Sequence, residues 1–272
     1  RRAFDDLVQG GHRSWHLAEA LAALSWEVGW VFDYFDLVRE LLDEVQRSEE
    51  ESMERAATLI ADTIAGGRVL HYFAAGHSHM LGEEMFYRAG GLAPVNAIME
   101  PSLMVSNGAS KSSKLECLHG LAKVILEESG IERGDVLMVA STSGVNAAPV
   151  EMAAEASRLG ARVIGITSIS ASKATPLRNG SGKRLFELVD IVIDTHVPYG
   201  DAAIRVDGVD QKIAPLSTVI GVAIVNALVV RTVKILVEQG IEPPIFTSAN
   251  IPGGQEFNAA LLKRYKGQIR AF

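Results

Sequence analysis

Residues 69–79 read VLHYFAAGHSH, and this stretch indicates the class of fold. The apolar run Val69–Ala74 has the length and composition of a buried strand, and a short polar turn follows it. Gly76 permits a tight turn with close backbone approach, and Ser78 suits a helix N-cap at the start of a helical stretch over roughly 79–89. A strand that turns directly into a helix is typical of a βαβ unit, which predicts an α/β fold.

The rest of the chain repeats this alternation. Further strand-like runs lie at Pro94–Ile98, Val136–Ser141, Arg162–Thr167 and Ile191–Asp194, with helical stretches at roughly 112–128 and 145–158. Most of these strands are apolar and β-branched, as in a parallel sheet that helices cover on both faces. Apolar periodicity predicts one or two helices over 34–64, a long helix over Leu216–Glu238 and a short one over 256–266. We expect a single domain over residues 33–272, preceded by an N-terminal extension of uncertain origin over residues 1–32.

Composition excludes several classes of protein. With 272 residues, 48% hydrophobic and 22% charged, the chain has enough apolar surface to exclude a long disordered protein. The net charge is −7 and no run is rich in Lys or Arg, so we expect no nucleic-acid partner. The single cysteine, Cys117, fits a reducing compartment, and Asn226 interrupts the most apolar stretch, Val219–Val230. We expect a cytoplasmic protein without a membrane span.

A second polar loop follows the third strand. It reads Ser141-Thr142-Ser143-Gly144-Val145-Asn146 and precedes another helix. Loop N–H groups and hydroxyls at a helix N-terminus favour an anion, and the absence of a lysine distinguishes this loop from a Walker A motif. Ligands of open parallel sheets bind beyond the carboxyl ends of the strands. A polar turn is the structural alternative, but two such loops together favour a phosphate monoester on a small metabolite.

Four side chains beside the first loop are catalytic candidates: His77, His79, Glu83 and Glu84. A carboxylate with a raised pKa in a closed site is a suitable base for a proton next to a carbonyl. A solvated acidic helix face is an equally weighted alternative for the two glutamates. The short spacing of the two histidines is too unspecific to predict a metal, and none is expected.

Other polar residues near predicted strand ends are candidate substrate contacts. They are Gly76 itself, Glu100 after the second strand, Lys173 after the fourth and His196 after the fifth. Lys173 is suited to neutralise a phosphate. Each of these residues is as readily explained by an ordinary surface loop.

The two loops together resemble the sugar isomerase (SIS) domain family. The residues that carry the resemblance are Ala75-Gly76-His77-Ser78 and Ser141-Thr142-Ser143-Gly144, and residues 76–92 resemble a bacterial branch described as phosphosugar-binding or phosphoheptose-isomerase-like. The resemblance implies a five-stranded parallel sheet between helices, a flavodoxin-like arrangement. It also implies a phosphosugar ligand and a homodimer or homotetramer with the site near the subunit interface. The phosphate-binding residues implied are Ser78, Ser141, Thr142, Ser143, Gly144 and Asn146.

The catalytic residues of phosphoheptose isomerase do not carry over by this resemblance. Glu84 stands where the family pattern has a histidine, and Arg88 stands where it has a glutamate. The zinc site of that enzyme is therefore not implied either. The etherase branch of the same superfamily uses glutamates, and Glu83, Glu84 and Glu100 are compatible with it, although its longer glycine-rich motif is absent.

These observations favour an aldose–ketose isomerase that acts on a ring-opened sugar phosphate. In this hypothesis Glu84 or Glu83 moves a proton between C1 and C2, and His79 or His77 polarises the carbonyl oxygen. No organic cofactor is expected because the reaction has no hydride or redox step. Two alternatives stay open: a lyase or etherase acting on an amino-sugar phosphate, and a phosphosugar-sensing module without turnover.

Overall fold

The computed structural model describes residues 33–272, and two consecutive helices precede the first strand. Residues 1–32, where the N-terminal extension is predicted, lie outside the described residues. Helix α1 spans residues 33–48, and α2 follows it at Glu50–Ala65. The remaining helices are α3 His79–Met85, α4 Ala109–Glu116, α5 Leu121–Ser129, α6 Ala147–Leu159, α7 Ile169–Ala174, α8 Ser217–Glu238 and α9 Gly254–Tyr265.

Five strands of the described chain form one parallel sheet. They are β1 Leu70–Ala74, β2 Val95–Ile98, β3 Val136–Ala140, β4 Arg162–Thr167 and β5 Ile191–Asp194, in the spatial order β2-β1-β3-β4-β5. Residues Leu70 and Val136 pair at one end of the central ladder, and Ala74 and Ala140 pair at the other. The strand order reverses between β1 and β3, so the loops after these strands diverge at a topological switch point. The α/β fold with a flavodoxin-like parallel sheet is thereby confirmed.

Two apolar layers cover the faces of the sheet. One layer joins α2 and α8 to inward-facing residues of the strands, such as Tyr72 and Met138. The other joins α5 and α6 to residues of opposite orientation, such as Phe73 and Val139. Neighbouring residues of β1 and β3 thus point to opposite layers, and all five residues of each strand are buried. The near-continuous apolar runs in the sequence follow from this double burial.

Helix boundaries differ from the sequence-based expectation at two places. The stretch predicted as one helix over 112–128 is two helices, because Gly120 between them adopts φ +83°. The helix predicted over 79–89 ends at Met85, where Phe86 turns to an extended conformation. The sequence analysis also missed a two-stranded antiparallel hairpin, β6 Ala202–Ile204 with β7 Ile213–Pro215, before α8.

Helix α8 packs against α2 along most of its length. Arg231 binds both carboxylate oxygens of Glu54, at 2.6 and 2.7 Å, and Gln239 donates to Asp62 at 3.1 Å. Within residues 33–272, α8 is the one helix whose length and apolar composition would allow it to cross a membrane, with a mean hydropathy of 2.0. Its buried side chains, including Ile220, Leu228 and Leu236, belong to the core layer that contains α2. The apolar composition of α8 thus serves core packing.

Candidate functional site

An open cleft of about 400 Å³ lies at the switch point, beyond the carboxyl ends of β1 and β3. Loops and helix ends from six parts of the chain form its wall. The lining residues are Ala75, Gly76, His77, Ser78, Glu116, Ser141, Thr142, Ser143, Asn146, Ala171, Thr175, Arg178, Tyr199, Gly200, Asp201 and Ser217. Of the predicted phosphate-binding residues, all but the buried Gly144 line this cleft, and their role as phosphate ligands stays a prediction.

The loop after β1 directs Ser78 toward the cleft without using its side chain as a cap. Gly76 adopts φ +61° and opens a short 3₁₀ turn, Gly76–Ser78, that runs directly into α3. The Tyr72 hydroxyl donates to the Ser78 carbonyl at 2.6 Å and ties the turn to β1. The prediction that Ser78 caps the helix is wrong, because Ser78 already has helical backbone angles and its side chain makes no capping bond in the described chain. Its hydroxyl is therefore left for a ligand.

The loop after β3 is held in shape by its own hydrogen bonds and by β4. The Gly144 N–H donates to Ser141 Oγ at 3.2 Å, and the Ser168 N–H donates to the Thr142 carbonyl at 3.1 Å. Gly144 adopts φ +56° and is buried; a Cβ there would lie 3.0 Å from Leu185 Cβ and Thr167 Oγ1. A glycine is therefore required at the turn that presents Thr142 and Ser143 to the cleft.

A small cavity continues inward from the hydroxyls of both loops. It measures about 10 Å³, enough for one water molecule, and Ser78, Ser141, Thr142 and Ser217 line both it and the open cleft. Thr195 also lines it, and the buried Thr195 Oγ1 has no hydrogen-bond partner among the described residues. The deep end of the cleft is thus a cluster of hydroxyl groups, which suits the oxygen atoms of an anion or an ordered water.

The outer wall of the cleft carries a carboxylate and a cation that the sequence analysis did not single out. Glu116, the last residue of α4, lines the cleft together with Asn146 and lies near the charge of Arg178. Burial raises the pKa of the Glu116 carboxyl, and the nearby Asn146 side chain and the Arg178 charge offset part of that effect. The Arg178 N–H donates to the Val145 carbonyl at 3.0 Å, which fixes the Arg178 backbone beside the β3 loop.

Asp201 belongs to the cleft rim but serves the helix behind it. Its Oδ1 accepts from the N–H groups of Leu216 and Ser217 at 3.0 and 2.8 Å, and its Oδ2 accepts from Ser217 Oγ at 2.8 Å. Asp201 therefore caps α8 from outside the helix, because it satisfies the N–H groups at the start of α8.

The predicted catalytic carboxylates do not line the cleft in this chain. Glu84 pairs with Arg88 and accepts from Asn226 Nδ2 of α8 at 2.8 Å, while Glu83 is exposed. Of the two candidate histidines, His77 lines the cleft and His79 is buried at 3% exposure. Their catalytic roles stay predictions.

His79 is held as a neutral imidazole. Its Nδ1 lies 3.1 Å from the Gly76 carbonyl, so Nδ1 is the protonated nitrogen, and the buried Nε2 has no partner within residues 33–272. Burial lowers the pKa of His79, against the opposing effects of the Gly76 bond and of the charges on Glu83 and Glu100. Neutral His79 thus supports the loop after β1 through its hydrogen bond to the Gly76 carbonyl.

Three candidate substrate contacts do not line the cleft. Glu100 accepts from the Ser102 N–H at 3.0 Å, and the side chain of His196 binds Glu49 at 3.0 Å. Lys173 is exposed and does not line the cleft, whereas Arg178, five residues later, does. Among the described residues, no group of three or more His, Cys, Asp or Glu side chains is arranged to hold a metal ion.

Comparison with known proteins identifies relatives over most of the chain. A sequence model described as the SIS domain matches residues 33–168. A UPF0309 protein from Halalkalibacterium halodurans is 42% identical over 239 residues, which cover 88% of this chain and 96% of that protein. A UPF0309 protein from Geobacillus kaustophilus is 43% identical over 236 residues, covering 87% and 94%.

Solved structures share the fold at low sequence identity. A phosphoheptose isomerase from Francisella tularensis superposes with a TM-score of 0.51 at 15% identity, covering 76% of this chain and 97% of that one. The Vibrio vulnificus NanR protein, complexed with ManNAc-6P, gives a TM-score of 0.50 at 15% identity, covering 96% and 79%. Because the SIS domain match spans half of the chain and the UPF0309 relatives match over nearly their whole length, this chain belongs to the SIS domain family.

Proposed function

We propose that the switch-point cleft binds a phosphosugar, with the phosphate at the hydroxyl-lined deep end. The observation that carries the proposal is the convergence of Ser78 from one loop with Ser141, Thr142 and Ser143 from the other, beside the start of α6. Hydroxyls and the first N–H groups of a helix are suited to phosphate oxygens, and Arg178 adds a positive charge in the same cleft. Two proteins that share the fold support this ligand class: a phosphoheptose isomerase and the NanR protein complexed with ManNAc-6P.

A thermal-shift screen tests the binding step. Purified protein is heated with hexose, heptose and N-acetylhexosamine phosphates, and with the same sugars without phosphate. A ligand at about 100 times its Kd stabilises the folded state by about 2.7 kcal/mol, which gives a clear rise in Tm. Stabilisation by a phosphosugar and not by its free sugar supports the proposal; no stabilisation by any phosphosugar contradicts it.

Two variants connect binding to the cleft. Thr142→Val removes one lining hydroxyl at similar volume. We expect it to weaken phosphosugar binding about 10- to 150-fold, since a hydrogen bond to a charged group contributes about 1.5–3 kcal/mol. Thr58→Val is the matched control, because Thr58 is exposed on α2 and bonds only to the Glu54 carbonyl of its own helix among the described residues. Equal affinities of the two variants would place the ligand elsewhere.

The reaction we propose is aldose–ketose isomerisation of the bound phosphosugar. A lyase would instead release an unsaturated product, and a sensing module would bind without conversion. NMR of the best-binding phosphosugar distinguishes the three: an interconverting aldose and ketose, a new alkene signal, or an unchanged spectrum. Glu84→Gln tests the predicted base, and unchanged conversion would remove Glu84 from the mechanism.

We also propose that the chain acts as a homodimer or homotetramer, at the cytoplasmic location expected from its composition. Helix α8 supports this, because Val230 and Val237 are 55% and 60% exposed on its outer face. Apolar patches on a helix of this kind are typical of subunit interfaces. Light scattering coupled to gel filtration measures the mass, and Val230→Lys with Val237→Lys is expected to yield monomers. A monomeric wild-type protein would refute the proposal.

A further inference from the structure

The carboxylates at the cleft differ in what they are free to do. Within residues 33–272, two of them line it, Glu116 and Asp201. Both oxygens of Asp201 accept hydrogen bonds from the first residues of α8, so this side chain is occupied as a cap. Glu84, the base expected from sequence, instead binds Arg88 and Asn226. Glu116 is thus the carboxylate of the cleft with capacity for a ligand.

Glu116 lies on the wall that a sugar would reach from the deep end. Ser78, Ser141 and Thr142 line both the inner cavity and the open cleft, whereas Glu116 and Arg178 line only the open part. A carboxylate beside a phosphate dianion would repel it, so the phosphate belongs among the hydroxyls and the sugar carbons extend toward the outer wall. Asn146 lines the same open cleft as Glu116 and is the N-cap of α6, at the end of the hydroxyl loop, so it lies between the two parts of the cleft.

We propose that Glu116 is the catalytic residue that moves the proton between adjacent carbons of the ring-opened phosphosugar. The inference rests on the proposed phosphosugar function. The Glu116 carboxylate takes the proton from the carbon next to the carbonyl, and the electron pair of that C–H bond forms the C1=C2 double bond. The carbonyl π pair moves to its oxygen, which takes a proton. Return of the carbon proton to C1, with loss of the C2 hydroxyl proton, gives the ketose without any oxidant or reductant.

The environment of Glu116 suits this step. Glu116 lines the open cleft and is partly buried, which destabilises its charged form and strengthens it as a base, while the nearby Asn146 side chain and the Arg178 charge favour the carboxylate. Arg178 also offers positive charge to the enediolate oxygen that develops as the proton leaves. The same proton abstraction next to a carbonyl also begins an elimination, so the assignment of Glu116 applies equally if the chain is a lyase.

The test measures carbon-bound deuterium uptake from D₂O together with binding. Wild type, Glu116→Gln and Glu116→Asp are incubated with aldose and ketose forms of hexose, heptose and N-acetylhexosamine phosphates, and followed by NMR. Glu127→Gln is the matched control, since Glu127 is an exposed carboxylate on α5 whose pairing is a 4.0 Å contact with Lys123. We expect Glu116→Gln to lose at least about 100-fold in exchange rate, as is typical for a lost general base, with Kd within about threefold. Glu116→Asp is expected to retain part of the rate, and Glu127→Gln all of it.

Several outcomes would overturn the assignment, and they are distinguishable from failure of the proposed function. If Glu116→Gln retains deuterium exchange, another group moves the proton. If Glu84→Gln loses that exchange at the same time, Glu84 is that group. Phosphosugar binding by wild type without any exchange shows that Glu116 moves no proton, and it leaves the binding proposal intact. An absence of phosphosugar binding by folded wild type refutes the proposed function itself. A pH profile adds a check: the acid limb of wild-type kcat/KM should move in Glu116→Asp.

Discussion

The turn at Gly144 gives a stability prediction whose size follows from its geometry. Gly144→Ala forces an L-residue to keep φ +56°, which costs about 1–2 kcal/mol. The new Cβ would also lie 3.0 Å from Leu185 Cβ and from Thr167 Oγ1, two residues with 0% exposure, and overpacking of this kind costs about 1–3 kcal/mol. We expect Gly144→Ala to lower the free energy of unfolding by about 2–5 kcal/mol.

Gly67→Ala separates the two contributions. Gly67 adopts φ +77°, but nothing lies within 4 Å of the Cβ that it would gain. Both substitutions reduce the entropy of the unfolded chain equally, so their difference reports the packing around the β3 loop. Urea unfolding at unchanged m should place Gly144→Ala about 1–3 kcal/mol below Gly67→Ala, and phosphosugar binding should weaken only in Gly144→Ala. Equal losses in the two variants would refute the view that Leu185 and Thr167 fix the shape of this loop.

Three further predictions concern stability. Because burial raises the pKa of Glu116, wild type loses stability as the pH rises from the unfolded pKa of 4.5 through the folded pKa. Glu116→Gln should therefore be more stable than wild type at neutral pH, and urea titrations should show this gain disappearing below about pH 4.5. Because burial lowers the pKa of His79, the unfolded chain binds a proton that the folded chain does not, so stability falls as the pH drops below 6.5. His79→Gln should reduce the slope of unfolding free energy against pH in that range, and an unchanged slope would contradict a lowered pKa of His79. Gly221→Ala would ordinarily favour a helix, but the new Cβ would lie 2.6 Å from Leu81 Cδ2. We expect the free energy of unfolding to fall by about 1–3 kcal/mol, which calorimetry should show as a lowered Tm.

The sequence predicted the fold and the two polar loops that line the cleft, because each rests on a local signal. Apolar β-branched runs give strands that are buried on both faces, and Gly76 and Gly144 mark the turns that lead into helices. Both glycines adopt positive φ, as a tight strand-to-helix turn requires. The βαβ alternation predicts parallel strands, whose carboxyl ends lie at one edge of the sheet, and these two loops follow such ends.

The outer wall of the cleft could not be predicted in the same way. Glu116 fell inside what read as one continuous helix. The helix instead ends at Glu116, and a separate helix begins after Gly120, so Glu116 lies at a helix end in the cleft wall. Arg178 lies in an irregular polar segment, and its place depends on a backbone bond to Val145, 33 positions earlier. Long-range pairings of this kind leave no periodic trace in the sequence. Glu84 was singled out by its spacing from the loop, and spacing alone does not reveal that Arg88 and Asn226 bind it.

The packing of α8 against α2 has a consequence for the synthesis of the chain. Helix α2 ends at Ala65 and α8 begins at Ser217, so a ribosome adds about 150 residues before the cover of α2 exists. Protein synthesis adds about 5–20 residues per second. The apolar side chains of α2, such as Ile60 and Ile64, therefore precede α8 by on the order of ten seconds or more. The nascent chain therefore exposes the apolar face of α2 while the intervening residues are made. A product truncated before Ser217 would keep that face exposed and become a substrate for chaperones and proteases.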